Sequence, residues 1–203
     1  MQYFKKRKEQ ISFEIEKIPI TIKITDVYVY PQAYAAALTV HDDVSESRII
    51  NIVDLGGYTV DLLQLTDFRP DMSVCTSLYN GVNTLFRRIN EQIRAKMGKD
   101  IPDVIIEGII TEDSKVLQDC SPERLELVRT NTENFTNKLL WGTSQEGLDL
   151  TENQTVFVGG GALLLREYIE KSGMVAKAVF VPNIHANVQG YQLIYDKMKT
   201  PRV

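Results

Sequence analysis

The sequence predicts an α/β protein, a mixed sheet flanked by helices. Three observations carry that expectation. Residues 11–30 alternate apolar and polar side chains with a period of two, and 49–54 and 59–66 are two hydrophobic runs around a glycine turn, as strands are. After Gly81, Val82, Leu85, Phe86, Ile89 and Ile93 recur at helical spacing. The apolar run QTVFV, 154–158, leads through three glycines into an amphipathic stretch. Hairpins dominate the early part, and strands alternate with helices later.

The elements follow in order. Ile11, Phe13 and Ile15, then Ile18, Ile20, Ile22 and Ile24, read as two or three strands with Val27 and Val29. Pro19 suits a strand start or an edge. Pro31 opens PQAYAAALTV, a helix to about Val40, because proline presets the first helical turn and alanine favours the helix. HDDVSESR, 41–48, is a polar connector. Residues 49–54 and 59–66 are strands around the turn DLGGYT, and 68–74 holds another strand ending near SLYNG. A helix runs from Gly81 to about Met97, with Gly98 as its C-cap. A short helix covers 101–110. Ser121 caps a helix to about Trp141, with Pro122 in its first turn. GTSQEGLDLTEN, 142–153, is a loop. Strands at 154–158 and 178–181 enclose a helix over 163–171 that Gly173 ends, and a helix over 186–198 closes the chain.

Composition narrows the function. A chain of 203 residues buries a core without disulfide or metal staples. Its net charge of −4 lacks the basic footprint of direct nucleic-acid binding. The cluster KKRK, 5–8, is a solvated end or a weak contact to phosphate or membrane. Cys75 and Cys120 stand in no metal or redox spacing, as buried free thiols in a reducing compartment do. No run of 18 apolar residues and no secretory signal is present, so the expected place is the cytoplasm, without membrane insertion. His41 reads as solvated. His185 either serves a structural hydrogen bond or lies near a ligand.

Two motifs carry chemistry. In DLGGYT the glycine pair lets the backbone approach a ligand and turn successive amides toward an anion. Asp54 closes the first strand, where a carboxylate can face a cation or a water, and Thr59 offers a hydroxyl. The same sequence also suits a plain hairpin turn, and alone it divides evenly between the two. Asp61 orients the hairpin. The second motif is VFVGGGALLLREYI, 156–169, in which strand, glycine turn and helix start make an anion-friendly site. It is neither G-x-G-x-x-G nor a Walker A sequence. Bare glycine backbone also receives a flat group such as a purine, or simply allows close strand–helix packing.

The pair decides more than either member. VDLGGYTVD resembles the second phosphate loop of the actin-like ATPase superfamily, and VFVGGGALLLREYI its adenosine motif. YFKKRKEQ, TDVYVYPQAYAA and NIHANVQGYQLI resemble the ParM-like, plasmid-partitioning branch of bacterial actins, so the resemblance covers essentially the whole chain. It implies an actin-like (ribonuclease H-like) fold, of which this chain is the second lobe. Residues 1–30 would be the tail of the first lobe, and 31–48 a linker helix and connector. Residues 49–180 would form the second lobe, with a small helical insertion at 98–121, and 181–203 would return toward the first lobe.

The resemblance also implies roles. Asp54 would hold Mg2+ through water and polarise the attacking water. Gly56, Gly57, Tyr58 and Thr59 would contact the β- and γ-phosphates of ATP (or GTP). Gly159, Gly160, Gly161 and Ala162 would pack on the adenosine, and Gly81 and Asn83 would approach the ribose. The partners would be further copies, in filaments or dimers, and a plasmid-bound adaptor protein.

One departure stands out: the family's first phosphate loop has no counterpart before Tyr3. The expectation is a truncated form or a gene fragment, without turnover by itself because half the cradle is missing. The alternatives are an inactive module that associates with itself or with full-length filaments, and a lobe of another actin-fold phosphotransferase.

Overall fold

β1 (Gln10–Ile15) and β2 (Ile18–Lys23) form an antiparallel hairpin in the first of two units, residues 1–30 and 31–203. The computed structural model describes residues 10–31, 33–183 and 185–199. The cluster KKRK and nearly all of YFKKRKEQ lie outside them. Glu16 and Lys17 join the strands with φ of 52° and 67°, the left-handed pair whose twist matches a two-residue hairpin. The register pairs Ile11 with Ile22, Phe13 with Ile20 and Ile15 with Ile18. Directly paired residues share a face, so all six apolar side chains lie together. Ser12 and Thr21 share a hydrogen bond on the opposite face, at 3.0 Å. The apolar face is open, with Ile18 62% exposed. Residues 24–30 add no third strand. Pro19 sits inside β2, which is tolerable because each strand of a two-stranded sheet has an edge.

The second unit holds a five-stranded sheet. Its strands are β3 (Ile49–Leu55), β4 (Val60–Thr66), β5 (Arg69–Leu78), β6 (Gln154–Val158) and β7 (Lys177–Phe180). Their order is β5-β4-β3-β6-β7. β3, β4 and β5 run antiparallel to their neighbours, while β3, β6 and β7 are parallel. The helices are α1 (Tyr34–Leu38), α2 (His41–Val44), α3 (Val82–Met97), α4 (Asp103–Ile110), α5 (Ser114–Gln118), α6 (Pro122–Gln145), α7 (Gly160–Leu164), α8 (Arg166–Lys171) and α9 (Ala186–Lys199).

Alternation along the strands builds a core on each face of the sheet. Val53, Leu55, Val60, Leu62 and Phe157 join a cluster with Leu85 and Ile89 of α3, Ile106 and Ile109 of α4, and Leu139 of α6. Ile50, Ile52, Leu63, Leu65, Val156 and Val158 join Ala36 and Ala37 of α1 and Ala186 of α9. Asn51 of β3 is a polar interruption of this pattern whose hydrogen bonds are met. Asn51 is fully buried, but its amide donates to the Asp149 carbonyl at 2.8 Å and accepts from Gln64 at 3.1 Å. Helix α9 closes tightly on α1: a Cβ at Gly190 would lie 1.8 Å from the Ala35 carbonyl oxygen. Only glycine permits so close a backbone approach.

Several helix ends match their sequence signals. Ser121 Oγ accepts from the Arg124 amide with Pro122 behind it, and Gly98 takes φ 78° at the end of α3. Other elements differ from expectation. The connector 41–48 contains α2, and α6 runs on through part of the expected loop. The stretch after the glycines divides at Leu165 into α7 and α8, and α5, within the helical insertion expected at 98–121, was not delimited as an element of its own.

Candidate functional site

The site begins with register. β3 and β6 are parallel, and Asp54 stands level with Val158. Both strands therefore deliver their glycine turns to the same end of the sheet. There the chain leaves β3 toward β4 on one side and β6 toward α7 on the other, a topological switch point of the kind where α/β sheets bind ligands.

The turn after β3 is tied at its neck by the Gly56 amide donating to the Thr59 carbonyl, at 2.9 Å. The first residues of α3 then lock it from behind. The amides of Gly81, Val82 and Asn83 donate to the carbonyls of Tyr58, Gly56 and Gly57, at 3.1, 3.1 and 2.9 Å. This capping uses the donors that a helix start would otherwise offer a ligand. It leaves the amides of Gly57, Tyr58 and Thr59 without a hydrogen bond to any described residue. Gly81 is fixed by this contact, since a Cβ there would lie 2.4 Å from the Gly57 oxygen.

The second turn packs against the first. Gly159 takes φ 93°, and a Cβ there would meet the Leu55 carbonyl oxygen at 2.6 Å and Asp54 Oδ1 at 2.8 Å. A Cβ on Gly161 would meet Leu55 and Val82, both at 2.8 Å. Gly159 and Gly161 are thus packing glycines. Gly160 is different, because nothing lies within 4 Å of a Cβ there. Its bare backbone faces open space.

That space is a cleft of about 600 Å³. Gly56, Gly57 and Asn83 line it from the first turn and α3, and Gly160 and Gly161 from the second turn. Phe86, Leu163 and Leu164 supply apolar wall. Asp103 and Glu107 of α4 and Thr111 at its C-terminal cap also line it, a row at i, i+4 and i+8. These three were not read from the sequence. Their spacing was visible, but which side of a short apolar helix meets a cleft is set by packing.

The remaining expected residues stand around this cleft rather than in its lining. Asp54 is buried at 6% exposure, against Gly159. Thr59 donates its hydroxyl to Asp61 Oδ2 at 3.2 Å, and Ser77 donates to the other oxygen of that carboxylate. Asp61 therefore braces the hairpin, and the Thr59 amide remains available. Tyr58 is 80% exposed. Ala162 is buried in the core beneath the second turn. His185 is exposed, and its backbone amide donates to Asn183 at 2.8 Å.

Chemically, the cleft combines glycine backbone, an apolar wall and two carboxylates, with the unbonded amides of Gly57, Tyr58 and Thr59 at or beside it. Amides in a row suit an anion, carboxylates accept from hydroxyl groups, and bare glycine receives a flat ring. Among the described residues no group of three His, Cys, Asp or Glu is placed to hold a metal ion. No helix among them is long and apolar enough to cross a membrane.

The family model described as "Archaeal actin homologue MreB-like, C-terminal" matches residues 52–171. Among solved structures, the archaeal actin homologue Ta0583 in complex with ADP aligns with a TM-score of 0.70 at 18% identity, covering 94% of this chain and 64% of that one. The Alp12 filament structure aligns at 0.70 and 15% identity, covering 97% and 62%. A 15-stranded ParM filament from Clostridium botulinum aligns at 0.68 and 15% identity, covering 97% and 61%. These likenesses show an actin-like fold, and the chain spans less than two thirds of each of these structures. No curated protein matches the chain.

Proposed function

The chain belongs to the family of MreB-like archaeal actin homologues, within their C-terminal region, and from that premise we propose that it is the nucleotide-binding second lobe of a filament-forming, ParM-like ATPase of plasmid segregation. The observation that carries the reading is the meeting of both glycine turns in one cleft with Asp103 and Glu107. The filament and ADP-bound relatives support it.

In this reading the amides of Gly57, Tyr58 and Thr59 receive the phosphates, and Asn83 reaches toward the sugar. Asp103 and Glu107 accept from ribose hydroxyls, and Gly160 and Gly161 lie under the base beside Phe86 and Leu163. The ligand would be ATP, or GTP, with Mg2+, bound between the lobes and driving polymerisation. Asp54, held against Gly159, would hold Mg2+ through water and polarise the attacking water. A single carboxylate fits that outer role better than direct ligation. The domain limits of the sequence reading belong to this proposal, as do assembly into filaments, an adaptor protein on the plasmid, and the cytoplasm.

Calorimetric titration with Mg-ADP tests it. Saturable binding is expected, and Glu107→Gln weakens it roughly tenfold, the worth of one charge-assisted hydrogen bond. Glu107 is exposed, so the fold survives that change. Absence of binding at millimolar nucleotide would sink the reading. Pelleting with Mg-ATP tests assembly separately.

The open apolar face of the β1–β2 hairpin favours a second reading, a module that joins itself or intact filaments without turnover. It requires co-sedimentation with filaments in the absence of nucleotide.

A further inference from the structure

A second cavity, of about 450 Å³, lies in the helical insertion. It shares no residue with the nucleotide cleft. Helix α4 stands between the two, with Ile105 facing this cavity and Glu107 facing the cleft. The floor is apolar, made by Ile101, Ile105 and Val116. Around it stand three cations, Lys99, Lys115 and Arg124.

The charge balance there differs from that of the whole chain, which is net negative. Of the two carboxylates on the cavity wall, Asp100 is committed to Arg94, which grips it with two hydrogen bonds of 2.8 and 2.5 Å. Only Asp119 is left to face three cations. Lys99, Lys115 and Arg124 form no ion pair among the described residues. Arg124 Nε is moreover buried with no acceptor. A buried charged donor without an acceptor is costly, and structures seldom keep one. An anion drawing the guanidinium toward the cavity gives that group its partner.

We propose that this cavity binds a small organic acid, with a phosphate or carboxylate head held by Lys115 and Arg124 and an apolar body on Ile101, Ile105 and Val116. A volume of this size suits a small ligand, and an apolar floor with a few convergent polar groups is the usual make-up of such sites. The planar fork of arginine matches both kinds of head.

The test follows backbone amide resonances of the chain during titration with 1-naphthyl phosphate, 1-naphthoate, 1-naphthol and inorganic phosphate. The expected result is saturable binding of the naphthyl acids, with shifts centred on Val116 and Cys120 that persist when ADP saturates the cleft. Comparing phosphate with carboxylate identifies the preferred head. Lys115→Gln, at an exposed position that the fold does not need, and Arg124→Gln each weaken binding roughly tenfold. Equal binding of the neutral naphthol would overturn the proposal. So would unchanged affinity in both variants, or shifts centred on Gly57 and Gly160.

Discussion

Two of the molecule's β-hairpins, β1–β2 and β3–β4, pair with equal regularity in opposite circumstances. In β1–β2, three facing pairs of Ile and Phe share one side, and that side is open to water. In β3–β4, Ile50, Ile52, Leu63 and Leu65 face one helical layer, and Val53, Leu55, Val60 and Leu62 face another. Pairing and register are equally regular in both. The difference teaches that cross-strand pairing defines a hairpin's shape, while burial on its faces supplies its stability and rigidity. The candidate site grows from the covered hairpin, because only a turn held from both sides can keep its amides aimed at a ligand.

The contrast can be broken or sharpened by substitution. The largest effect is expected for Ile52→Ala, which empties a fully buried position and should cost about 2–5 kcal/mol in denaturant unfolding. Next comes Gly81→Ala. Its methyl meets the Gly57 carbonyl, so α3 and the turn must part, at about 2 kcal/mol and with weakened nucleotide binding. Ile15→Ala in the open hairpin should change stability by less than about 1 kcal/mol while lowering the binding of apolar dyes. A cost like that of Ile52→Ala would mean that this face is covered in solution. The smallest effect on folding is expected for Gly160→Ala, within about 0.5 kcal/mol. Its methyl enters open space, yet it narrows the cleft, so calorimetry should show a weaker nucleotide complex from an equally stable protein.

Much of this was legible in the sequence because it is local. The strand alternation, Gly98 and Ser121 as caps, and the two glycine turns each announce themselves within a few residues. Even their meeting was inferable from resemblance, and the parallel register of Asp54 with Val158 supplies its physical cause. Other features depend on distant partners. GTSQ of α6 looks like loop by composition, but Thr143 is fully buried there and the helix continues. Asp103, Glu107 and Thr111 form a stripe along α4 and its C-terminal cap that gains meaning only once α4 lies opposite Gly160. The roles of the three glycines could not be told apart by sequence either. Two are forced by neighbouring backbone and side chains, and one stands open to the cleft.

The seat of the first turn on α3 has an electrical consequence. A helix start carries a partial positive charge, yet here its leading amides are spent on the carbonyls of Gly56, Gly57 and Tyr58. Each of those carbonyls shares a planar trans peptide unit with the next amide, and in such a unit the N–H points opposite to the C=O. The amides of Gly57, Tyr58 and Thr59 are therefore the far ends of three dipoles connected in series with the helix. Hydrogen bonds in such chains polarise one another. The turn works as a set of terminals that carries the potential of α3 forward by one peptide plane, from the core to the surface where an anion would sit.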